Sequence, residues 1–161
     1  MSTIDTAAVE RFLVEEAALL DRGAWEAWIN LFTPDGCYWV PASPAQSDPF
    51  DHVSLFFENR PLMQMRAERL QHPRAHGLAA PVRTSRVVGN VQVFAGENAA
   101  AGDILARSRF HMTEAQESRQ RVFAGTYIHR LAVTEDGLRI RVKRVDLVNA
   151  DSPHEVMQVF I

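Results

Sequence analysis

The chain is constrained most by residues 119–150, where two long stretches alternate apolar and polar side chains on either side of a Glu135-Asp136-Gly137 turn. Tyr127 lies in the first stretch, VFAGTYIHRL, and the second reads LRIRVKRV. A two-residue period over such a length predicts a pair of antiparallel strands with one buried face and one charged face. Strands this long exceed the usual length of about six residues, so we expect the sheet to coil around other elements.

The first third of the chain supplies those elements, because its apolar residues recur at helical spacing. Asp5 or Thr6 is the expected N-cap of a first helix that ends at Gly23. The stripe along this helix consists of Val9, Phe12, Leu13, Glu16, Leu19 and Leu20. A second helix is predicted over residues 24–32, and a third begins at Pro61 and continues to residue 70.

The remaining segments complete one α+β domain over residues 1–161. Short strands are predicted over residues 37–40 and 53–58, and long strands over 82–95 and 104–114. Residues 71–81 are expected to be irregular, and residues 96–102 to form a turn region. We expect the helices to lie on one side of a strongly curved antiparallel or mixed sheet, which makes a cone with an open mouth.

Composition excludes several classes of function. A chain of 161 residues with 47% hydrophobic content can bury a single core, and its net charge of -3 gives no attraction to nucleic acid or to anionic membranes. No run of eighteen apolar residues exists, and the first residues lack the features of a signal peptide, so a cytoplasmic location is expected. The single cysteine, Cys37, rules out an internal disulfide bond and a thiolate cluster built by this chain alone.

The potential metal ligands form no recognisable site. A Rieske centre needs two cysteines and two histidines, and a mononuclear iron needs two histidines and a carboxylate on one face. His72 and His76 have i, i+4 spacing, but Pro73 between them argues against a shared helical face. The other histidines are His52, His111, His129 and His154. We therefore expect no metal or cofactor ligand in this chain.

Two of these histidines have a position that suggests a role. His129 lies in a long strand and is expected to be exposed or hydrogen-bonded. His154, beside Glu155, is expected either to be solvated or to contact a neighbouring subunit.

An open cone can hold a pocket, and a stand-alone enzyme would need an acid/base pair inside it. The candidates are Tyr38, Asp51, His52, Tyr127 and Asp146. They form no recognisable pair by spacing. Asp51 and His52 follow a proline-rich loop and are expected to be exposed, whereas Asp146 has possible ion-pair partners in Lys143 and Arg144.

The basic side chains are almost all arginine, sixteen against one lysine. Those on the predicted strands are Arg83, Arg86, Arg107, Arg109, Arg130, Arg139, Arg141 and Lys143. They form either an ordinary solvated sheet face or contacts between subunits, and the bidentate geometry of arginine favours the second interpretation. The aromatic residues Trp25, Trp28, Phe32, Tyr38 and Trp39 follow helical and strand periodicity, which predicts core positions.

Four separated segments carry a resemblance to a known family. They are EEAALLDRGAWEAWINLFTPDGCYWVP at 15–41, PVRTSRVVGNVQV at 81–93, VFAGTYIHRL at 122–131 and RIRVKRVDLVNADSP at 139–153. Together they resemble the small (beta) subunits of aromatic-ring-hydroxylating dioxygenases, and the last two are most similar to the benzoate and toluate type. Two local departures from the family pattern, Asn59 and the order of residues in PVRTSR, affect no redox ligand.

The resemblance implies a single domain with the cone fold of nuclear transport factor 2, the NTF2-like or SnoaL-like fold. It implies a non-catalytic beta subunit that supports an alpha subunit, commonly as three alpha and three beta chains. The alpha subunit would carry a Rieske [2Fe-2S] centre and a mononuclear Fe(II), and would insert both atoms of O2 into an arene with electrons from NADH. The implied partners are this alpha subunit and further copies of the chain in a trimer.

The same fold leaves two alternatives open: a stand-alone isomerase, dehydratase or hydrolase with an acid/base pair in the cone pocket, and a pure oligomerisation module. Under the subunit hypothesis, Ala substitution at His129 or Asp146 lowers assembly or stability at most. The sequence leaves the arene, the stoichiometry, the arginines at interfaces and any ligand of the cone pocket undetermined.

Overall fold

A computed structural model describes residues 5–72, 80–96 and 102–161. Its helices are α1 (Thr6–Asp21), α2 (Trp25–Ile29) and α3 (Arg60–Gln71). Its strands are β1 (Phe32–Val40), β2 (Phe56–Asn59), β3 (Arg83–Ala95), β4 (Ile104–Gln116), β5 (Arg119–Thr134) and β6 (Gly137–Leu147). The six strands form one sheet in the order β2-β1-β6-β5-β4-β3, which confirms the α+β class.

The sheet is mixed, because β1 runs parallel to β6 while every other neighbouring pair is antiparallel. The long meander from β3 to β6 and its turn at residues 135–136 agree with the alternation in the sequence. The register shifts at three places, around Asn90 in β3, at Arg141 in β6 and between Phe32 and Cys37 in β1, and the shift at Arg141 is a bulge of one extra residue. Bulges of this kind bend a strand and increase its twist, so they help to curl the sheet.

Helix α1 packs across the buried side of the curled sheet, against β3. It begins as predicted, since the Asp5 side chain accepts a hydrogen bond from the backbone N–H of Ala8 at 3.1 Å. It ends at Asp21, and Gly23, just past the C-cap Arg22, has a positive φ of 68°, a conformation that glycine adopts without strain. The largest buried apolar side chains are Trp28, Tyr38, Tyr127, Phe32, Phe110, Phe160, Leu13, Met63, Met112, Leu131 and Ile140.

The second helix is shorter than predicted and β1 is longer. Helix α2 ends at Ile29 rather than at residue 32, because the backbone there pairs with β6: Ile140 N–H donates to the Leu31 carbonyl at 2.8 Å, and Phe32 lies opposite Ile140. Strand β2 begins later than predicted, at Phe56. Most of the irregular segment predicted at 71–81, including His76, and most of the turn predicted at 96–102 lie outside the described residues.

No helix among the described residues is long and apolar enough to cross a membrane.

Candidate functional site

A cluster of three charged or polar side chains lies deep inside the cone. One carboxylate oxygen of Glu16 is 2.8 Å from Lys143 Nζ, and the other is 2.8 Å from His129 Nε2. Trp28 Nε1 donates a third hydrogen bond to Glu16, at 3.0 Å. The side chains of Glu16, His129 and Lys143 are all between 0% and 2% exposed. We call these three residues the Glu16 cluster.

Glu16 and His129 reach the interior for local reasons. Glu16 lies on the buried stripe of α1, beside Leu13 and Leu20. His129 belongs to the inward phase of β5, the phase of Tyr127. Strand alternation therefore predicts the direction of the histidine, and helical spacing predicts the direction of the glutamate.

The position of Lys143 corrects the predicted charged face of β6. Arg130 pairs with Val142 and Leu131 with Ile140, so Arg141 is an extra residue that forms a bulge. The bulge reverses the alternation, and Lys143 points inward instead of outward with Arg139 and Arg141. The predicted face of alternating arginine and lysine is therefore wrong from residue 143 onward.

Aromatic rings enclose the ammonium group of Lys143. Its Nζ lies 4.3 Å from the ring centroid of Tyr127 and 5.6 Å from that of Trp28, distances at which a cation is attracted to an aromatic face. The compact ammonium suits this space better than the larger planar guanidinium group. The only lysine of the chain thus occupies a position where its chemistry differs from that of the sixteen arginines.

Electrostatic coupling keeps the Glu16 carboxyl ionised. Burial by itself would raise the pKa of the Glu16 carboxyl, but the charges of Lys143 and His129 and their hydrogen bonds hold that pKa well below its usual range. Burial lowers the pKa of Lys143, and the Glu16 carboxylate opposes that shift. A carboxylate held this firmly by two partners is a poor proton acceptor, so the cluster is suited to holding α1 against β5 and β6 rather than to acid/base catalysis.

Residues 159–161 close the space where an open cone would hold a ligand. Phe160 packs against Trp28 and Tyr38, with ring centroids 4.5 Å and 5.6 Å apart, and Ile161 N–H donates to the Tyr38 hydroxyl at 2.9 Å. Val159, Phe160 and Ile161 are all buried. These three side chains therefore belong to the hydrophobic core of the cone.

Arg86 also enters the interior, contrary to the predicted basic sheet face. Its guanidinium group forms an ion pair with Asp21 of α1 and donates to the Phe160 carbonyl oxygen, and its side chain is only 1% exposed. The backbone N–H of Arg86 donates to the same aspartate at 2.8 Å. This residue therefore joins β3, α1 and the segment that fills the cone.

The acid/base candidates do not come together. Asp51 and His52 are exposed, as expected for the loop. Asp146 forms the expected ion pair with Arg144, with Arg144 Nε 2.9 Å from one carboxylate oxygen. Tyr38 and Tyr127 are fully buried, and burial raises the pKa of both hydroxyls well above the usual range. The pair that the stand-alone enzyme needs is absent among these five.

The potential metal ligands are also dispersed. Across the described ranges, no three His, Cys, Asp or Glu side chains are grouped so that they could hold a metal ion. His52, His72 and His111 are exposed, and His154 contacts the Ala150 carbonyl oxygen at 3.2 Å. Cys37 is half-buried, and burial raises the pKa of its thiol. These donors do not fit a Rieske centre or a mononuclear iron.

His129 was expected to be either exposed or hydrogen-bonded. It is hydrogen-bonded and fully buried. The other two members of its cluster were not proposed as site residues. A signal for them exists in the sequence: Glu16 is the one charged residue in an apolar helical stripe, and Lys143 is the one lysine.

Arginines cover the outer, convex face of the long strands. Arg107 and Arg109 of β4 and Arg130 of β5 occupy exposed positions in neighbouring rows, and Arg109 donates to Thr126 at 2.9 Å. Of the other predicted members, Arg83 is exposed, Arg139 is partly exposed, and Arg141 pairs with Asp103 at 3.2 Å. Among the described outward-facing positions of β3 to β6, Asp146 is the one carboxylate, and Arg144 already neutralises it.

The predicted aromatic core is confirmed. Trp28, Phe32, Tyr38 and Trp39 are buried, and Trp25 packs against the same core while partly exposed. Trp28 makes edge contacts with Phe32 and Tyr38, at centroid distances of 4.9 Å and 5.8 Å.

Comparison with known proteins gives consistent matches. The model of a family described as "Ring hydroxylating beta subunit" matches residues 15–152. The 2-halobenzoate 1,2-dioxygenase small subunit of Burkholderia cepacia is 30% identical over 94% of this chain and 93% of its own length. The toluate 1,2-dioxygenase subunit beta of Pseudomonas putida is 28% identical over 98% of both chains. The crystal structure of the beta subunit of benzoate 1,2-dioxygenase from Burkholderia mallei superposes with a TM-score of 0.76 and 26% identity, over 96% of this chain and 97% of that one.

Proposed function

The chain belongs to the ring hydroxylating beta subunit family. On this basis we propose its function, its partner subunit and the stoichiometry of the complex. It is a non-catalytic beta subunit of an aromatic-ring-hydroxylating dioxygenase, an oxidoreductase complex, with the NTF2-like cone fold. The proposed complex contains three alpha and three beta chains. The alpha subunit carries the Rieske [2Fe-2S] centre and the mononuclear Fe(II), and it inserts both atoms of O2 into the ring.

The filled interior of the cone is the structural observation that carries the non-catalytic role. Where a cone enzyme would keep an accessible acid and base, this chain has the fully buried Glu16 cluster and the side chains of residues 159–161. The cluster fixes α1 to β5 and β6, so its contribution is a rigid body on which a partner can assemble. This favours a supporting subunit over a stand-alone isomerase, dehydratase or hydrolase.

The outer face of the long sheet supports self-association and partner contacts. Arg107, Arg109 and Arg130 lie there with exposed valines, among them Val87 and Val122. Such a mixture of arginine and apolar side chains is typical of interfaces, where guanidinium groups bind carboxylates in pairs of hydrogen bonds. We assign this face to contacts between subunits, including those of a beta trimer.

The substrate class follows from the relatives named above, whose enzymes act on 2-halobenzoate, toluate and benzoate. We propose that the complex oxidises an aromatic acid in catabolism, in the cytoplasm. The pocket that selects this arene would lie in the alpha subunit.

Native mass spectrometry tests the assignment, with the chain purified alone and after co-expression with the product of the adjacent gene. The expected result is a mixed complex that carries iron and acid-labile sulfide, and an isolated chain without iron. If the chain forms no complex with the co-expressed protein but forms a homo-oligomer, the result would support the oligomerisation module. Turnover of a small molecule by the isolated chain would support the stand-alone enzyme.

A further inference from the structure

A groove of about 510 Å³ lies on the surface of the cone beside α3. Its principal lining residues are Phe57, Leu62, Met65, Arg69, Val156 and Met157, and we call it the α3 groove. It is separate from the Glu16 cluster, from the filled interior and from the arginines of the outer sheet face, so none of the roles assigned above accounts for it.

The groove concentrates exposed apolar surface. Leu62, Met65 and Val156 are 44%, 51% and 76% exposed. Phe57 extends the surface, because its ring lies 5.4 Å from that of the highly exposed Phe50. Single exposed apolar residues are ordinary, but a contiguous group marks a surface that a partner covers. Met and aromatic residues are also enriched at protein interfaces.

Contacts of Arg66 beneath the groove stabilise its shape. Arg66 forms a two-pronged ion pair with Glu58, and its guanidinium carbon lies 4.1 Å from the ring centroid of Phe56. Arg66 also reaches the Gln158 carbonyl oxygen at 3.5 Å. The charge of Arg66 is therefore compensated within the chain, and its contacts join α3, β2 and Gln158 before any partner binds.

Arg69 gives the groove a net positive charge. It is exposed, lies in the last turn of α3 and has no ion-pair partner among the described residues. An apolar wall with one uncompensated guanidinium group is complementary to an apolar segment that carries a carboxylate. Two copies of this groove facing each other would instead bring like charges together, which disfavours a symmetric contact between beta subunits.

We propose that the α3 groove is the surface on which this chain docks an apolar, carboxylate-bearing segment of the alpha subunit. The inference rests on the proposed function, since it needs an alpha subunit to exist. It adds the location of the contact and separates the two kinds of assembly: beta chains meet through the outer sheet face, and the alpha subunit binds at α3.

The test uses the full chain, co-expressed with the alpha subunit and also titrated against it after separate purification. Leu62→Asp and Met65→Asp place a charge on the apolar wall, and Arg69→Glu reverses the positive charge of the groove. Each variant is expected to raise the dissociation constant of the mixed complex at least about tenfold, as for residues in the centre of an interface. The mass of the isolated chain's own oligomer is expected to stay unchanged.

Matched controls come from α1. Val14→Asp changes a 58% exposed apolar helical residue, and Arg22→Glu changes an exposed arginine at a helix end. Both are expected to bind the alpha subunit as the wild type does. If Leu62→Asp were to unfold the chain, Arg69→Glu would still test the docking site, because this substitution removes no side-chain contact found in the described structure.

The outcomes separate the two proposals. Wild-type affinity for the alpha subunit in all three groove variants would overturn the docking site and leave the subunit assignment intact. Loss of self-association with retained alpha binding would overturn it too, since the groove would then join beta chains. A wild-type chain that never binds the alpha subunit would instead refute the proposed function.

Discussion

Lys143→Met isolates the energetic role of the Glu16 cluster. The substitution keeps most of the side-chain volume but removes the ammonium group 2.8 Å from Glu16, which leaves a buried carboxylate with only His129 and Trp28 as partners. Removing one partner of a buried ion pair costs about 3–5 kcal/mol, because the other charge stays desolvated. For a domain of this size, that corresponds to a fall of about 6–20 °C in the unfolding midpoint.

Thermal and denaturant unfolding of the isolated chain measure this cost. Arg141→Met is the matched control on the same strand: Arg141 pairs with Asp103, but its side chain is 42% exposed, so the loss should stay below about 1 kcal/mol. Lys143→Arg is a second control that keeps the charge and adds bulk in a closed space, so it should also destabilise the chain.

Replacing all three cluster residues by apolar ones, as Glu16→Leu with His129→Leu and Lys143→Met, should recover most of the stability lost in Lys143→Met alone. Equal and small losses for Lys143→Met and Arg141→Met would refute the reasoning, because they would show that the interior pair is as well solvated as a surface one.

Three further predictions concern acidity, packing and reactivity. The pKa of Glu16 in the folded chain lies below that of an unfolded glutamate, so the contribution of Glu16 to stability is present above about pH 4 and is lost as the pH falls further. Unfolding by acid, followed by circular dichroism, should therefore be less sensitive to pH in Glu16→Gln than in the wild type over that range. Gly125→Ala would place a methyl group inside the contact distance of the Asp146 carbonyl oxygen, so expression or the unfolding midpoint should fall sharply, whereas Gly89→Ala, with open space around it, should behave as the wild type. Amine-reactive labelling read by peptide mass spectrometry should leave Lys143 unmodified in the native chain and modify it in denaturant, and rapid native labelling would contradict its burial.

Much of the fold was predictable, because local signals and tertiary packing agree along most of the chain. The Asp5 cap, the end of α1 just before Gly23 and the long strands β3 to β6 follow from capping preferences and two-residue alternation. The observed bounds of α2 and β1 differ from the predicted ones because residues near Phe32 form hydrogen bonds with the edge of β6. Such pairing depends on residues about one hundred positions away, which local propensity does not contain.

The candidate site was less predictable. His129 could be placed on a strand but not given a partner, since Glu16 lies 113 positions earlier in the chain. The direction of Lys143 depends on the bulge at Arg141, and a single extra residue reverses which face every later side chain occupies. The side chain of Arg86 points inward because it binds Asp21 and the Phe160 carbonyl oxygen, which belong to distant segments of the chain.

The sequence by itself determined the class of the molecule: an α+β domain, long alternating strands, a single cysteine that excludes a Rieske centre, and four segments that resemble dioxygenase beta subunits. These properties are written in local patterns and composition. Only the tertiary structure decided that the cone is filled, that the one lysine is buried against Glu16, and that exposed apolar residues gather beside α3. The physical reason is that burial and charge pairing are properties of neighbours in space, and bulges and strand order set those neighbours after the local pattern has been fixed.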